Sequence, residues 1–207
     1  MKQLKVLCVF RKGEEAELVN VKKCKIAWGI TGGGDRIAEI VKIMVELKRQ
    51  YESVVDIEVF VSKNGETMLR FYKQFDVLKQ EFAQFRVEVN ANAPFLASWV
   101  QSGKYDFMLV APASSNSVAK IVNGIGDTLI TNSVIMCLKA FGMVYVLPTD
   151  YKENVVETVI PNGKTLKIRV RKEEAEQTRK LGQIEGVYAV EKPEEIYRIF
   201  ADRYGNQ

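Results

Sequence analysis

The chain has 207 residues, 47% of them apolar, with a formal net charge of only +4. That length supports a substantial core, and the composition argues against wholesale disorder. Lysine and arginine are interspersed with glutamate rather than blocked, so no nucleic-acid face is expected. No apolar run is long enough to span a membrane, and none is expected to. Histidine is absent altogether, which excludes Ser-His-Asp and Cys-His mechanisms, His-ligated zinc and histidine proton transfer.

The segments 4–10 and 17–22 alternate loosely around Arg11-Lys-Gly-Glu-Glu15. They read as a hairpin or an extra edge strand, an extension of residues 1–24 ahead of the main domain. The apolar run Val6–Phe10 has no small-residue cleavage site after it, so no signal peptide is expected. Cys8, Cys24 and Cys137 are odd in number and widely spaced. They suggest reduced thiols in a cytoplasmic protein, without a disulfide framework or an iron–sulfur site.

Residues 25–150 alternate strand and helix. Lys25–Ile30 is the first core strand, Thr31-Gly-Gly-Gly34 a turn, and Asp35–Gln50 an amphipathic helix. Three glycines allow backbone N–H groups to approach an anion at the helix start. The full dinucleotide fingerprint is missing, and no acidic residue ends the second strand, Asp56–Val61. That strand ends in Ser62-Lys63-Asn64, which suits a terminal phosphate better than a ribose diol. A mononucleotide such as FMN is therefore favoured over NAD.

Thr67–Phe85 reads as one helix with an aromatic stripe, either core or subunit interface. Arg86–Val89 is a short third strand, and Pro94 opens a helix reaching Gln101. The apolar run Phe107–Ala111 reads as a buried parallel strand ended by Pro112. Ser114, Ser115, Asn116 and Ser117 then open a helix, and each is able to cap it. A strand end followed by a polar helix start is where open α/β sheets bind ligands. Leu129–Ala140 is helical, and Met143–Leu147 is the fifth strand. In residues 151–207, Val155–Ile160 and Thr165–Arg171 form a hairpin. A charged helix over Glu173–Leu181, a strand over Gly186–Val190 and a last helix to Tyr204 follow, packed on the same domain. The alternation implies a three-layer α/β fold, a Rossmann-like (flavodoxin-like) parallel sheet with helices on both faces.

Two stretches carry a resemblance. Ala111-Pro-Ala-Ser-Ser-Asn-Ser117 with Gly124-Ile-Gly-Asp-Thr-Leu-Ile-Thr131 resembles the flavoprotein superfamily of the flavin-containing cysteine decarboxylases. Ile26-Ala-Trp-Gly-Ile-Thr-Gly-Gly-Gly34 resembles that family's first phosphate loop. The tail Glu157–Arg171 is similar to the archaeal AfpA-type flavoproteins, which include dihydromethanopterin reductases. The resemblance implies FMN as cofactor and a homo-oligomer. Its phosphate would be held by Gly29, Thr31, Gly32, Gly33 and Gly34 with Ser62 and Lys63. Ala113, Ser114, Ser115, Asn116 and Ser117 would lie along the ribityl chain and ring edge. Lys120 and Asp127 are weaker candidates, the one a solvated face, the other a cap for the next helix.

The decarboxylating relatives use a histidine before the fourth strand and a Pro-x-Met-Asn motif after the fifth. This chain has Asn90 and Asn92 at the first place and Pro148-Thr-Asp150 at the second. Decarboxylation is therefore not expected. The resemblance implies an FMN oxidoreductase or electron carrier, receiving electrons from ferredoxin or reducing a pterin such as dihydromethanopterin. Two other readings stay open: an FMN-dependent transferase of the flavin prenyltransferase kind, and a flavin-binding module without turnover.

Overall fold

A computed structural model describes residues 23–160 and 162–205. The expected N-terminal hairpin and Cys8 lie outside the described residues. β1 (Cys24–Ile30), α1 (Ile37–Gln50), β2 (Val55–Val61), α2 (Lys63–Phe71), α3 (Phe75–Glu81) and β3 (Phe85–Val87) form the first half. α4 (Leu96–Gln101), β4 (Phe107–Ala113), α5 (Ser115–Val122), α6 (Leu129–Lys139) and β5 (Val144–Pro148) follow. The chain closes with β6 (Asn154–Val159), β7 (Thr165–Val170), α7 (Lys172–Leu181), β8 (Val187–Ala189) and α8 (Glu195–Tyr204).

The main sheet has the order β3-β2-β1-β4-β5-β8, with every neighbouring pair parallel. Parallel strands are buried on both faces, which is why β1 and β4 read as unbroken apolar runs. One face carries Ile26, Trp28 and Ile30 against α1, α3 and α8. The other carries Ala27, Met108 and Val110 against α4, α5 and α6. This is the expected three-layer Rossmann-like α/β architecture. The Trp28 indole donates to the Ala111 carbonyl at 2.7 Å, tying β1 to β4 inside the core. The strand order reverses between β1 and β4, and the crevice outside their carboxyl ends is where such sheets take ligands.

Three local expectations need correction. Thr67–Phe85 is two helices, because Lys73 adopts a left-handed φ of 57° and turns the chain between them. The turn lets Phe75, Leu78 and Phe82 pack into the chain's own core. Pro112 does not end β4: the register shifts between Val110 and Ala113, and pairing resumes at Ala113–Pro148. A bulge tolerates the missing N–H there. The apolar set of α6, with Leu129, Ile130, Val134 and Cys137, is also intrachain core. Within Thr67–Phe85, Phe71 and Val77 remain exposed.

β6 and β7 form a separate antiparallel hairpin. Cys24 is exposed and Cys137 buried, both as free thiols. Among the described residues no helix is long and apolar enough to cross a membrane.

At the opposite end of the sheet from the crevice, Glu58 is 3% exposed. Its carboxylate accepts from Lys104 at 3.0 Å, Arg86 at 3.2 Å, Lys25 at 3.4 Å and the Tyr105 hydroxyl at 2.9 Å. Burial alone would raise this carboxyl. The Lys104 and Tyr105 hydrogen bonds and the nearby lysine charges outweigh it and hold the group below its ordinary value of 4.5. A depressed carboxyl stabilises the fold above its unfolded pKa, and that contribution is lost as pH falls through the folded value. Glu58→Gln is therefore expected to lower Tm at neutral pH, with the gap to wild type closing on acidification below about pH 4.5. Thermal melts of both proteins across that range check it. A gap that stays constant with pH would show that the network contributes through packing alone.

Candidate functional site

Three helix starts meet at the crevice, two of them directly after strands, and each is built by a small polar cap. Ser62 ends β2 and its hydroxyl accepts from the Gly65 N–H at 3.0 Å, starting α2. Ser114 ends β4 and accepts from the Ser117 N–H at 3.3 Å, starting α5. Thr128 starts α6 through a reciprocal capping box with Thr131. Side-chain caps satisfy only one first-turn amide each, and the positive ends of three helix dipoles converge.

Between these junctions lies a cleft of about 240 Å³. Gly32 borders it from the β1–α1 turn, Ser62, Lys63 and Asn64 from α2, and Ser114, Asn116 and Ser117 from α5. Lys120, Asp127 and Thr128 complete the rim. Asp127 does not cap α6, a role Thr128 fills. It pairs with Lys120 at 2.7 Å, and that hydrogen bond holds its carboxyl below the usual range.

Thr31 is almost fully buried. Its hydroxyl donates to the Pro112 carbonyl at 3.0 Å and accepts from the Ser114 N–H at 2.8 Å. Thr31 thus clamps the two ligand-facing loops to each other across the switch point, with its side chain turned away from the cleft. Gly29 lies inside β1, where a Cβ would press on Ile130 at 3.1 Å; its small size lets α6 sit close to the sheet. Ala113 is fully buried at the end of β4. Gly33 faces Thr149 and Pro112, and Gly34 faces Tyr72, on the far side of the turn from Gly32. Ser115 borders a neighbouring groove with Arg171 and Gln177. Of the residues named from sequence, the structure brings Gly32, Ser62, Lys63, Ser114, Asn116 and Ser117 together around the cleft.

Glu88 was not foreseen. One carboxylate oxygen accepts from the Lys63 N–H and the other from the Leu129 N–H, both at 3.1 Å. It joins the starts of α2 and α6 at the back of the cleft, where helix dipoles favour negative charge. The only local signal is an acidic residue directly after a short strand.

The cleft therefore offers an anion Lys63, the start of α5 and several hydroxyl and amide groups, while Lys120 is paired with Asp127 and Glu88 takes one amide at each of the starts of α2 and α6. A family model described as Flavoprotein matches residues 14–197. An uncharacterised protein of Methanocaldococcus jannaschii is 48% identical over 175 residues, covering 84% of this chain and 93% of that protein. A dihydromethanopterin reductase (acceptor) of the same organism is 29% identical over 236 residues, covering 85% of this chain and 95% of the reductase. The crystal structure of Burkholderia xenovorans DmrB in complex with FMN, described as a cubic protein cage for redox transfer, aligns with a TM-score of 0.75. Identity to it is 26%, with 89% of this chain and 97% of that one covered. A family model spanning nearly the whole chain, laid over a parallel sheet whose crevice gathers three helix starts, means that this protein belongs to the Flavoprotein family.

Proposed function

We propose that the protein binds FMN in the cleft beside Gly32, Ser62 and Ser114 and works as a redox flavoprotein. The carrying observation is the convergence of three capped helix starts with Lys63 and Lys120 on one cleft. That set fits a phosphate dianion, and the Ser114, Asn116 and Ser117 side chains fit a polyol chain. Bound FMN supplies hydride and single-electron transfer, which the side chains alone do not. The protein's own part is to hold and orient. Thr31 fixes the distance between the two loops, Glu88 fixes the starts of α2 and α6, and the amides at the start of α5 favour negative charge nearby.

The dihydromethanopterin reductase relatives support reduction of a pterin as the physiological outcome. The sequence resemblance supports a ferredoxin-type donor. DmrB, described as a cage, supports a homo-oligomer. The stretch Thr67–Phe85 keeps Phe71 and Val77 exposed for such assembly. Among the described residues the exposed aromatics are Phe71, Phe95, Phe141 and Tyr188, with Phe141 95% exposed.

The test is spectroscopic. The purified protein is reduced with a ferredoxin system under anaerobic conditions, and 6-methyl-7,8-dihydropterin is added. Bleaching of the oxidised flavin bands, followed by their recovery in proportion to pterin added, is expected. A flavin that is never reduced, or that stays reduced with pterin present, would contradict a pterin-reducing role. Product formed from a prenyl phosphate would favour the transferase reading instead.

A further inference from the structure

The glycine turn that borders the cleft has a second side. There the hairpin borders an open cavity of about 260 Å³. The hairpin register explains its lining. Val156 pairs with Ile168 and Thr158 with Leu166, so these four side chains share one face of the ribbon. That face borders the cavity with Leu166 and Ile168 still open to solvent, while Glu157 and Lys167 pair at 3.1 Å on the other. Across the cavity stand Met68 and Tyr72 from the C-terminal end of α2. The walls are apolar and flat enough to take an aromatic ring.

The rim is not apolar. Asp35, from the glycine turn, and Asp150, from the end of β5, both border the cavity. Asp150 accepts from the Thr149 hydroxyl at 3.1 Å. Asp35 lies 3.8 Å from the Arg36 guanidinium, whose side chain is half exposed. Burial raises the Asp35 carboxyl; Arg36 partly offsets this, and Asp150 adds to it. Both carboxylates are partly exposed, and a ligand that brings N–H donors can give them charge-assisted hydrogen bonds. An apolar protein segment closing this cavity would bring none.

We propose that this cavity is the acceptor subsite and takes a planar amino-substituted heterocycle, its ring between the hairpin face and Tyr72 and its adjacent N–H groups donating to Asp35, with Asp150 beside it. This rests on the redox reading above and adds where the acceptor sits. The position suits the role. Gly32 borders the cleft and Gly34 borders this cavity, so the two spaces share the glycine turn as a common wall. The neighbouring N–H donors of a 2-amino-4-oxo ring match a carboxylate's two oxygens. A quinone has a comparable flat ring and no such donors.

Calorimetric titration of the protein as purified tests this without turnover. The probes are 6-methyl-7,8-dihydropterin and menadione, against wild type, Asp35→Asn and Ile168→Arg. Asp35→Asn is expected to weaken the pterin about tenfold and leave menadione unchanged, because only the charged acceptor is lost. Ile168→Arg is expected to abolish binding of both. Bound flavin, followed by its absorbance, is expected to be the same in all three proteins. Pterin affinity that is indifferent to both substitutions would overturn the subsite. So would loss of flavin on Ile168→Arg, which would show that the cavity houses the flavin ring itself. A wild type without flavin that still binds the pterin through Asp35 would refute the redox reading and leave the subsite standing.

Discussion

Gly33→Val is expected to strip the chain of most of its flavin while leaving the sheet folded. The reason is spatial. A Cβ at Gly33 would lie 2.6 Å from the Thr149 methyl and 3.2 Å from Pro112 Cβ. It would point away from the cleft and into the wall behind the turn. Thr149 cannot easily retreat, because its N–H is bonded to the Ala113 carbonyl at 2.9 Å. Thr149 also uses its hydroxyl on Asp150. The valine must therefore push the turn itself, and with it Gly32, toward the space an anion needs. Thr31 transmits that displacement to Ser114 through its two hydrogen bonds. A loss of about tenfold or more in FMN affinity, about 1.4 kcal/mol, is expected. The flavin-to-protein absorbance ratio after gel filtration measures it, with circular dichroism as the check on folding. An unchanged ratio would show that the turn is structural only.

The second large effect is expected at Gly65, in the first turn of α2. An alanine in a helix normally gains about 1 kcal/mol over glycine. Here its Cβ would sit 2.6 Å from the Ile30 carbonyl oxygen, which also receives the Ser62 N–H at 2.9 Å. A backbone oxygen held by that bond cannot swing aside as a side-chain tip can. Overpacking of this kind costs roughly 1–3 kcal/mol, and the upper part of that range outweighs the helix gain. Gly65→Ala should thus lower Tm by about 4 °C and displace Ser62, Lys63 and Asn64, weakening FMN as well. Gly182→Ala is the control, since its Cβ would find nothing nearer than 3.7 Å. If both alanine variants melt like wild type, the start of α2 is not held against β1 as described.

Much of the architecture was legible because each level of the sequence agrees. Buried parallel strands appear as unbroken apolar runs, and glycine, serine and threonine mark the junctions around the cleft. Gly32, Ser62, Ser114 and Ser117 were found this way, since a cap or a tight turn leaves a local trace. What escaped depends on distant partners. The break at Lys73 has no glycine to announce it, and only the packing of Phe75 and Phe82 against the sheet requires it. The run through Pro112 depends on the register of β5. Glu88 is bound by amides 25 and 41 residues away, so no local motif points to it. Gly29 and Thr31 sit beside the glycine turn in sequence, yet their side-chain positions serve packing and bracing.

The most direct measurement is the identity of the ligand carried by the intact protein. The purified chain is denatured, and the released small molecules are identified by mass spectrometry and quantified against protein. FMN in nearly stoichiometric amount, or its uptake to that level when added to ligand-free protein, is the expected result. Release of FAD or NAD instead, or a folded protein that refuses added FMN, would contradict the reading of the cleft as a flavin mononucleotide site.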